Sequence, residues 1–157
     1  RASQDLNKGM KEIIPLLGKA TGCQWGNFWQ VNPALMTLSS TVTWTDPSVS
    51  TAELESDTRG RSLSLSEGNA GHVWRSQKPI WTTDLLRDMC IPRSLDAHSA
   101  GLHGGIWFAL KSERFVFGVL ELLGKTLQTP TSDIVLAVER LGIKLGGLIE
   151  EHDFSQR

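Results

Sequence analysis

Two cysteines and four histidines are the first candidates for nucleophilic or metal-binding chemistry in this chain. Cys23 and Cys90 lie far apart and outside any Cys-x-x-Cys motif, which excludes a disulfide framework and a four-cysteine zinc site. His98 and His103 are five positions apart with Gly101 between them, so they do not form a chelating pair on one helix. We favour partly buried rings for the histidines. For Cys90 we favour a small buried hydrophobe, while a reactive thiol or an attachment point stays open.

Aromatic and cationic side chains supply the other candidates for ligand contact. The chain has six tryptophans and no tyrosine, and an indole ring can stack on a planar ligand, although packing in the core explains most single tryptophans better. We select Trp81 and Trp107, because each lies on a predicted strand beside the polar segment that holds Arg93, His98 and His103. Arg93 suits a phosphate or a carboxylate, and either histidine could ligate haem iron.

Composition and motifs point away from several functional classes. The chain lacks a Gly-x-x-x-x-Gly-Lys-Ser/Thr loop, a Gly-x-Ser-x-Gly elbow and a His-Glu-x-x-His helix, the signatures of common enzymes. Sixteen basic against 17 acidic residues, interspersed along the chain, argue against a nucleic-acid surface or a polybasic membrane contact. Apolar runs such as residues 106–110 are too short to cross a bilayer. The sparse cysteines favour a reducing cytoplasm.

The length of 157 residues corresponds to one domain. The chain opens with Arg1 rather than Met, and it both begins and ends inside helical patterns without a signal peptide or a terminal cap. We therefore expect a single domain over residues 1–157, with its core at about residues 5–151, that belongs to a longer polypeptide.

Hydrophobic spacing predicts a helix at each end of the chain. The first covers residues 3–20, and Pro15 is expected to kink or shorten it. The last begins at residue 131 and carries apolar residues in a heptad-like seam. Burial of this seam against a sheet is the favoured interpretation, and a partner helix is the alternative. The seam consists of Ile134, Val138, Leu141, Leu145 and Leu148.

Strands predominate between these helices. Two hairpins are predicted, and the second is apolar on both faces, so its strands should be central and covered on both sides. Short helices and one lone strand lie between the hairpins. Strands flanked by terminal helices indicate an α+β domain with an antiparallel sheet. The predicted elements are a hairpin of residues 24–31 and 35–44, a helix around 51–57, a helical turn from 72, a strand at 79–83, a helix at 92–100 and a hairpin of 106–110 and 115–123.

The central part of the chain also resembles a known family. Residues 67–74 read Glu-Gly-Asn-Ala-Gly-His-Val-Trp, and they are followed by Pro79-Ile80-Trp81 with Asp84, Pro92-Arg93, Ala97, Ala100-Gly101-Leu102 and Gly118-Val119-Leu120-Glu121-Leu122. The chain is similar over nearly its whole length to the GAF domains of bacterial sensor histidine kinases and diguanylate cyclases. That resemblance implies a central antiparallel sheet of about five or six strands, with both terminal helices on one face and short helices over a ligand pocket on the other.

The resemblance implies a function as well. We expect a non-enzymatic module that senses a small molecule, dimerises through its terminal helices and regulates a covalently attached output domain such as a histidine kinase or cyclase of a two-component system. Neither the ligand nor a cofactor is specified by the residues, and no metal is expected. The predicted ligand-binding residues are Trp81, Cys90, Arg93, His98, His103 and Trp107. The predicted residues of a homodimeric helical bundle are Leu6, Met10, Ile13, Leu141, Leu145 and Leu148.

Other functional types of the family remain as alternatives. Bilin-binding members resemble this chain in having a cysteine near Cys90, but that cysteine is normally followed by His, and here Ile91 follows. Members that reduce free methionine sulfoxide need several clustered cysteines, and this chain has two that are distant in sequence. Members that bind a cyclic nucleotide or haem use varied residues, and no motif here singles out either.

Overall fold

This computed structural model describes the backbone of residues 2–155 and the side chains of residues 4–152. Within these residues the chain forms six helices and six strands. In chain order they are α1 (Ala2–Thr21), β1 (Trp25–Asn32), β2 (Thr37–Thr45), α2 (Ala52–Arg59), β3 (Ser62–Leu63), α3 (Gly68–Ser76), β4 (Ile80–Thr82), α4 (Leu85–Asp88), α5 (Arg93–Ser99), β5 (Gly104–Lys111), β6 (Val116–Gly124) and α6 (Ser132–Ser155).

All six strands form one antiparallel sheet in the order β3-β2-β1-β6-β5-β4. The two predicted hairpins, β1–β2 and β5–β6, lie side by side at its centre, because β1 pairs with β6. Nearly every residue of β5 and of the second half of β6 is buried, as expected for strands covered on both faces. The α+β fold class and the number of strands are confirmed.

Successive side chains of each strand point to opposite faces of the sheet, so the core consists of two layers, one on each face. On one face, side chains such as Phe28, Phe108 and Leu120 pack against Met10 and Ile14 of α1 and against the half-buried side of α6. The opposite face carries a second cluster, which lies under the short helices and includes Trp25, Trp29, Trp107, Val119 and Leu54. The terminal helices and the short helices therefore lie on different faces, as the resemblance implies.

Helix α6 packs directly on the backbone of β5. A Cβ atom placed on Gly142 would lie 2.0 Å from the carbonyl oxygen of Ala109, and one on Gly146 would lie 2.0 Å from that of Lys111. Strand β4 pairs only with residues 105–107 of β5, so α6 covers the edge of β5 where β4 has ended. Two glycines one turn apart thus permit a helix-to-strand contact that no larger residue allows.

The predicted seam of α6 is divided between the core and the surface. Val138, Leu141 and Leu145 pack against the buried cluster, which confirms burial against the sheet for this part. Ile134 and Leu148 are 47% and 53% exposed. The seam is therefore a core contact at its centre and an apolar surface at its ends.

One local prediction differs from the structure, and two short elements are not predicted from the sequence. Helix α1 continues through Pro15 to Thr21, so the proline does not shorten it. Strand β3 has two residues, too few to show an alternating pattern. Helix α4 was not predicted, because its four residues give no periodicity, although Asp84 caps it by accepting a hydrogen bond from the Arg87 amide.

A search of the described helices for a segment both long and apolar enough to cross a bilayer finds none.

Candidate ligand-binding site

A buried carboxylate lies at the centre of the sheet face that the short helices cover. Glu121 is on β6 between Val119 and Leu123, and it is fully buried. In register it faces Asn27 of β1 on one side and Trp107 of β5 on the other. Its oxygens accept hydrogen bonds from Asn27 Nδ2 at 3.2 Å, Trp29 Nε1 at 3.3 Å and Trp107 Nε1 at 2.6 Å. Three adjacent strands therefore hold this carboxylate in place.

The positive charge that balances Glu121 comes from the short helices that cover this face of the sheet. Arg93 is the first residue of α5, and its guanidinium donates from Nη2 to Glu121 Oε1 at 2.6 Å and from Nη1 to Oε2 at 3.1 Å. Its Nε donates to Thr58 Oγ1 of α2 at 2.9 Å. The guanidinium carbon lies 5.3 Å from the ring centroid of Trp29 and 6.0 Å from that of Trp25. The cation thus has a bidentate partner and two aromatic faces.

This ion pair links the sheet to its cover of short helices. The side chains are 11% and 0% exposed, so both charges are largely removed from water. Taking charges out of water is costly, and the pair is tolerable only because nearly every polar atom has a partner. Removal of one member leaves the other as an unpaired buried charge, which lowers the free energy of unfolding by about 3–5 kcal/mol. We call α4 and α5 the roof, and this pair fixes the roof to the sheet.

A cavity of about 110 Å³ opens beside the ion pair. Arg93, Glu121 and Trp107 form its inner end, and Cys90 and Ile91, both exposed, lie at its mouth. Its remaining walls come from the β3 region and the start of α3, with Met89 from the segment between α4 and α5. These further lining residues are Arg61, Leu63, Glu67, Gly68, Asn69, Ala70 and Met89.

Hydrogen bonds connect the wall of the cavity to the roof. Asn69 of α3 donates from Nδ2 to the carbonyl oxygen of Asp88 at 2.9 Å. The carboxylate of Asp88 accepts from Arg87 at 2.7 Å and from Thr82 Oγ1 at 2.5 Å. The hydrogen bonds from Arg87 and Thr82 lower the pKa of Asp88 from 3.8 to about 2. The roof is therefore tied to β4 and α3 as well as to Glu121.

The structure brings three of the six predicted ligand-binding residues to this cavity. Cys90, Arg93 and Trp107 line it. Trp81 lies on the other face of the sheet, where its indole Nε1 donates to the Gln128 carbonyl oxygen at 3.1 Å. The reason is register: Trp81 pairs with Ile106, one position from Trp107, so the two indoles point in opposite directions.

The two histidines lie outside the cavity. Gly101, with φ of +83°, ends α5 as predicted and turns the chain back. This turn brings the rings of His98 and His103 together at the surface, with centroids 5.1 Å apart. Among the described residues no group of three His, Cys, Asp or Glu side chains is arranged to hold a metal ion.

The two cysteines lie on opposite sides of the sheet. Cys90 is exposed at the cavity mouth, whereas Cys23 is buried in the cluster beneath α1 and α6. Burial raises the pKa of the Cys23 thiol to about 11, which keeps it protonated at neutral pH. Cys23 is therefore not placed to exchange with Cys90.

Sequence reasoning missed the centre of this site. Glu121, Asn27 and Trp29 were not selected, although Glu121 stood in the motif that carried the family resemblance. The available signal was a single carboxylate in the run Val119 to Leu123, which is otherwise apolar. A charged residue at the middle of a central strand must have a partner when it is buried.

Comparisons with known proteins agree with this architecture. No protein-family model matches the sequence, and no curated protein is significantly similar to it. A GAF domain/HD domain protein from Geobacter sulfurreducens matches at 18% identity over 97% of each chain, with a TM-score of 0.69. A domain described as part of a two-component sensor histidine kinase from Sinorhizobium meliloti matches at 12% identity over 96% of this chain and 97% of that one, with a TM-score of 0.66.

A third similar structure is the free methionine-R-sulfoxide reductase from Neisseria meningitidis, in complex with its substrate. It matches at 18% identity over 90% of this chain and 75% of that one, with a TM-score of 0.64. At such identities the likeness concerns the fold. Together with the sheet order, the terminal helices on one face and the covered cavity on the other, these matches show that the chain has the GAF fold.

Proposed function

We propose that this chain is a regulatory domain that senses a small molecule and is not itself an enzyme. The observation that carries the proposal is the cavity that ends on the Arg93–Glu121 ion pair. A molecule entering it meets the ion pair that joins the roof to a buried charge of the sheet. Binding there changes how the roof packs, without requiring any bond to be made or broken.

The signal would pass from the cavity to the terminal helices. Trp107 contacts Glu121 from β5, and the same strand contacts α6 through Gly142 and Gly146. A ligand shifts such an equilibrium only by binding one arrangement better than the other, typically by about 1–3 kcal/mol. Similar domains in a GAF/HD protein and in a sensor histidine kinase support an attached output domain in this protein too.

We also propose that the terminal helices form a homodimer in a reducing compartment. Helices α1 and α6 border an apolar groove of about 250 Å³, whose walls include Leu6, Met10, Ile13, Leu145 and Leu148. These are five of the six residues predicted for the bundle. In sedimentation, Leu148→Asp should weaken self-association. Ile143→Asp is the matched control, because it is a similarly exposed residue of α6 outside the groove. Equal behaviour of the two variants would contradict the dimer.

The sensing proposal is tested by ligand retention and by two matched tryptophan variants. The native mass and absorption spectrum of protein purified from its own host reveal a retained ligand. Thermal-shift screening of metabolites then finds compounds that stabilise the fold. Trp107→Phe removes a hydrogen bond to Glu121, and Trp81→Phe removes one on the opposite face. The ligand response should be lost in the first variant and kept in the second. A response equally affected by both would contradict binding at this cavity.

A thiol-dependent reduction of methionine sulfoxide is the second candidate. It is favoured by the likeness to two free methionine-R-sulfoxide reductases and by the exposed thiol of Cys90 at the cavity mouth. This function predicts turnover of free methionine sulfoxide with an added dithiol as reductant, and the loss of that turnover in Cys90→Ser. Covalent attachment of a bilin to Cys90 would need a larger cavity than this one of about 110 Å³, since pockets for drug-sized ligands have volumes of about 300–1,000 Å³.

A further inference from the structure

The fixed half of the candidate site is an anion surrounded by aromatic rings. Glu121 accepts hydrogen bonds from Asn27 and Trp29 of β1 and from Trp107 of β5, the two strands that flank its own strand β6. These donors remain when Arg93 is taken away. The cation, by contrast, is supplied by the roof, from the first turn of a seven-residue helix. The sheet alone therefore presents a carboxylate next to the rings of Trp25 and Trp29. The guanidinium of Arg93 occupies the space beside them.

We propose that the ligand of this domain is a small guanidinium or amidinium compound that replaces the side chain of Arg93 on Glu121 and thereby releases α5. In the state described here, the chain's own arginine fills the receptor. This inference rests on the proposed sensing function and specifies the chemical class of the ligand and the contact that it breaks.

Charge favours a cation over an anion. Two cationic side chains, Arg61 and Arg93, and two anionic ones, Glu67 and Glu121, line the cavity, so their formal charges cancel. Departure of Arg93 leaves a net negative wall. An anion bound to Arg93 would instead lie close to the buried carboxylate of Glu121, which the hydrogen bonds from β1 and β5 hold in place. The two negative charges would repel each other.

Geometry favours a planar cation over a simple ammonium ion. Glu121 receives two parallel N–H donors from Arg93, and the guanidinium carbon is within 6.0 Å of two indole centroids. A guanidinium or amidinium group reproduces both the fork and the stacking, whereas an ammonium ion acts as a point charge. The cavity volume of about 110 Å³ equals that of roughly four water molecules, which suits a group of this size.

Two features of the structure favour movement of α5 away from the sheet: access to the ion pair from outside, and buried polar atoms without partners. The cavity leads from the exposed Cys90 and Ile91 to the ion pair, so a ligand reaches Glu121 from outside. Within the described part of the chain, two buried polar atoms near Arg93 have no hydrogen-bond partner, the indole nitrogen of Trp25 and the hydroxyl of Ser94. Because unsatisfied buried groups destabilise the closed arrangement, movement of α5 that gives Ser94 a partner offsets part of the cost of opening.

Chemical rescue of Arg93→Ala tests the proposal. This variant keeps Glu121 and the indoles but lacks the guanidinium, and its melting temperature should fall. Ethylguanidinium should raise that temperature, whereas ethylurea, of similar shape but neutral, should not. Lys78→Ala, which disrupts an exposed ion pair with Glu139, is the matched control and should show no rescue. Because the wild type must first release Arg93, the variant should bind ethylguanidinium more tightly by about tenfold or more.

A titration of the wild-type protein provides the second measurement and does not depend on the folding of the variant. Ethylguanidinium should move the indole N–H resonances of Trp29 and Trp107, which contact Glu121, and leave that of Trp81 unchanged. Inorganic phosphate is the opposing probe. If phosphate moves these resonances and ethylguanidinium does not, the sensing function stands and the inferred ligand class is wrong. Absence of both rescue and resonance shifts with ethylguanidinium also overturns the inference.

Discussion

The buried ion pair gives the sharpest prediction about stability. Arg93→Met removes the cation while preserving much of the side-chain volume, and it leaves the fully buried Glu121 with neutral partners only. Breaking a buried pair in this way costs about 3–5 kcal/mol. For a domain of this size each kcal/mol lowers the melting temperature by about 2–4 °C, so the loss should be about 6–20 °C. Glu121→Gln, which strands the guanidinium, should cost a similar amount.

The double variant separates a coupled pair from two unrelated contacts. Arg93→Met with Glu121→Gln contains no buried charge, so its cost should be no larger than that of either single variant. Denaturant unfolding at neutral pH, followed by tryptophan fluorescence and far-UV circular dichroism, measures all three. Lys78→Met is the exposed control and should cost less than about 1 kcal/mol, because the Lys78 side chain is 75% exposed. Additive single costs in the double variant, or an Arg93→Met as mild as the control, would refute the reasoning.

Three further outcomes follow from local geometry. Gly146→Ala should destabilise the fold by about 1–3 kcal/mol, since its Cβ would collide with Lys111, whereas Gly147→Ala, with no neighbour within 4 Å, should stabilise by up to about 1 kcal/mol in urea unfolding. A thiol reagent should label one cysteine per folded chain, Cys90, and two after denaturation, because Cys23 is buried with a raised pKa. The lowered pKa of Asp88 stabilises the fold above about pH 4, and this contribution is lost as the pH falls towards 2; Asp88→Asn should flatten that part of the pH–stability curve.

Each of these outcomes has a clear contrary result. Equal effects of the two glycine variants would mean that α6 does not approach β5 as closely as described. A second reactive thiol in the folded protein would place Cys23 near the surface. An unchanged acid limb in Asp88→Asn would show that the hydrogen bonds from Arg87 and Thr82 do not favour the charged carboxylate in solution.

Elements with a regular apolar pattern were predictable from the sequence. The terminal helices follow from apolar spacing, both hairpins follow from strand-favouring runs joined by polar turns, and Gly101 marks the end of α5. Strand β3 and helix α4 are too short to contain a period. Pro15 is expected to disturb α1, but Met10 and Ile14 before it and Leu17 after it pack against the same cluster, and the helix is continuous from Ala2 to Thr21.

The site was predictable only in part, because it depends on strand register. Arg93 and Trp107 are predicted site residues and lie together, since Arg93 is in the roof and Trp107 is on the strand beneath it. Trp81 was selected for the same reason but is on the other face, and only the pairing of β4 with β5 settles which face a residue occupies. Glu121 was overlooked because an apolar strand was interpreted as uniform. Its partner Asn27 is 94 positions away in sequence, and only the pairing of β1 with β6 brings the two side chains together.

The two glycine contacts also determine how far a small movement can travel. Helix α6 is fastened to β5 at Gly142 and Gly146 and extends about nine residues, or roughly 14 Å, beyond the second of them. A tilt of β5 by about 5° would therefore carry the far end of the helix sideways by about 1 Å, with no sliding at the point of attachment. Strand β5, which carries Trp107, and helix α6 would then rotate together as one rigid unit about their contact at Gly142 and Gly146.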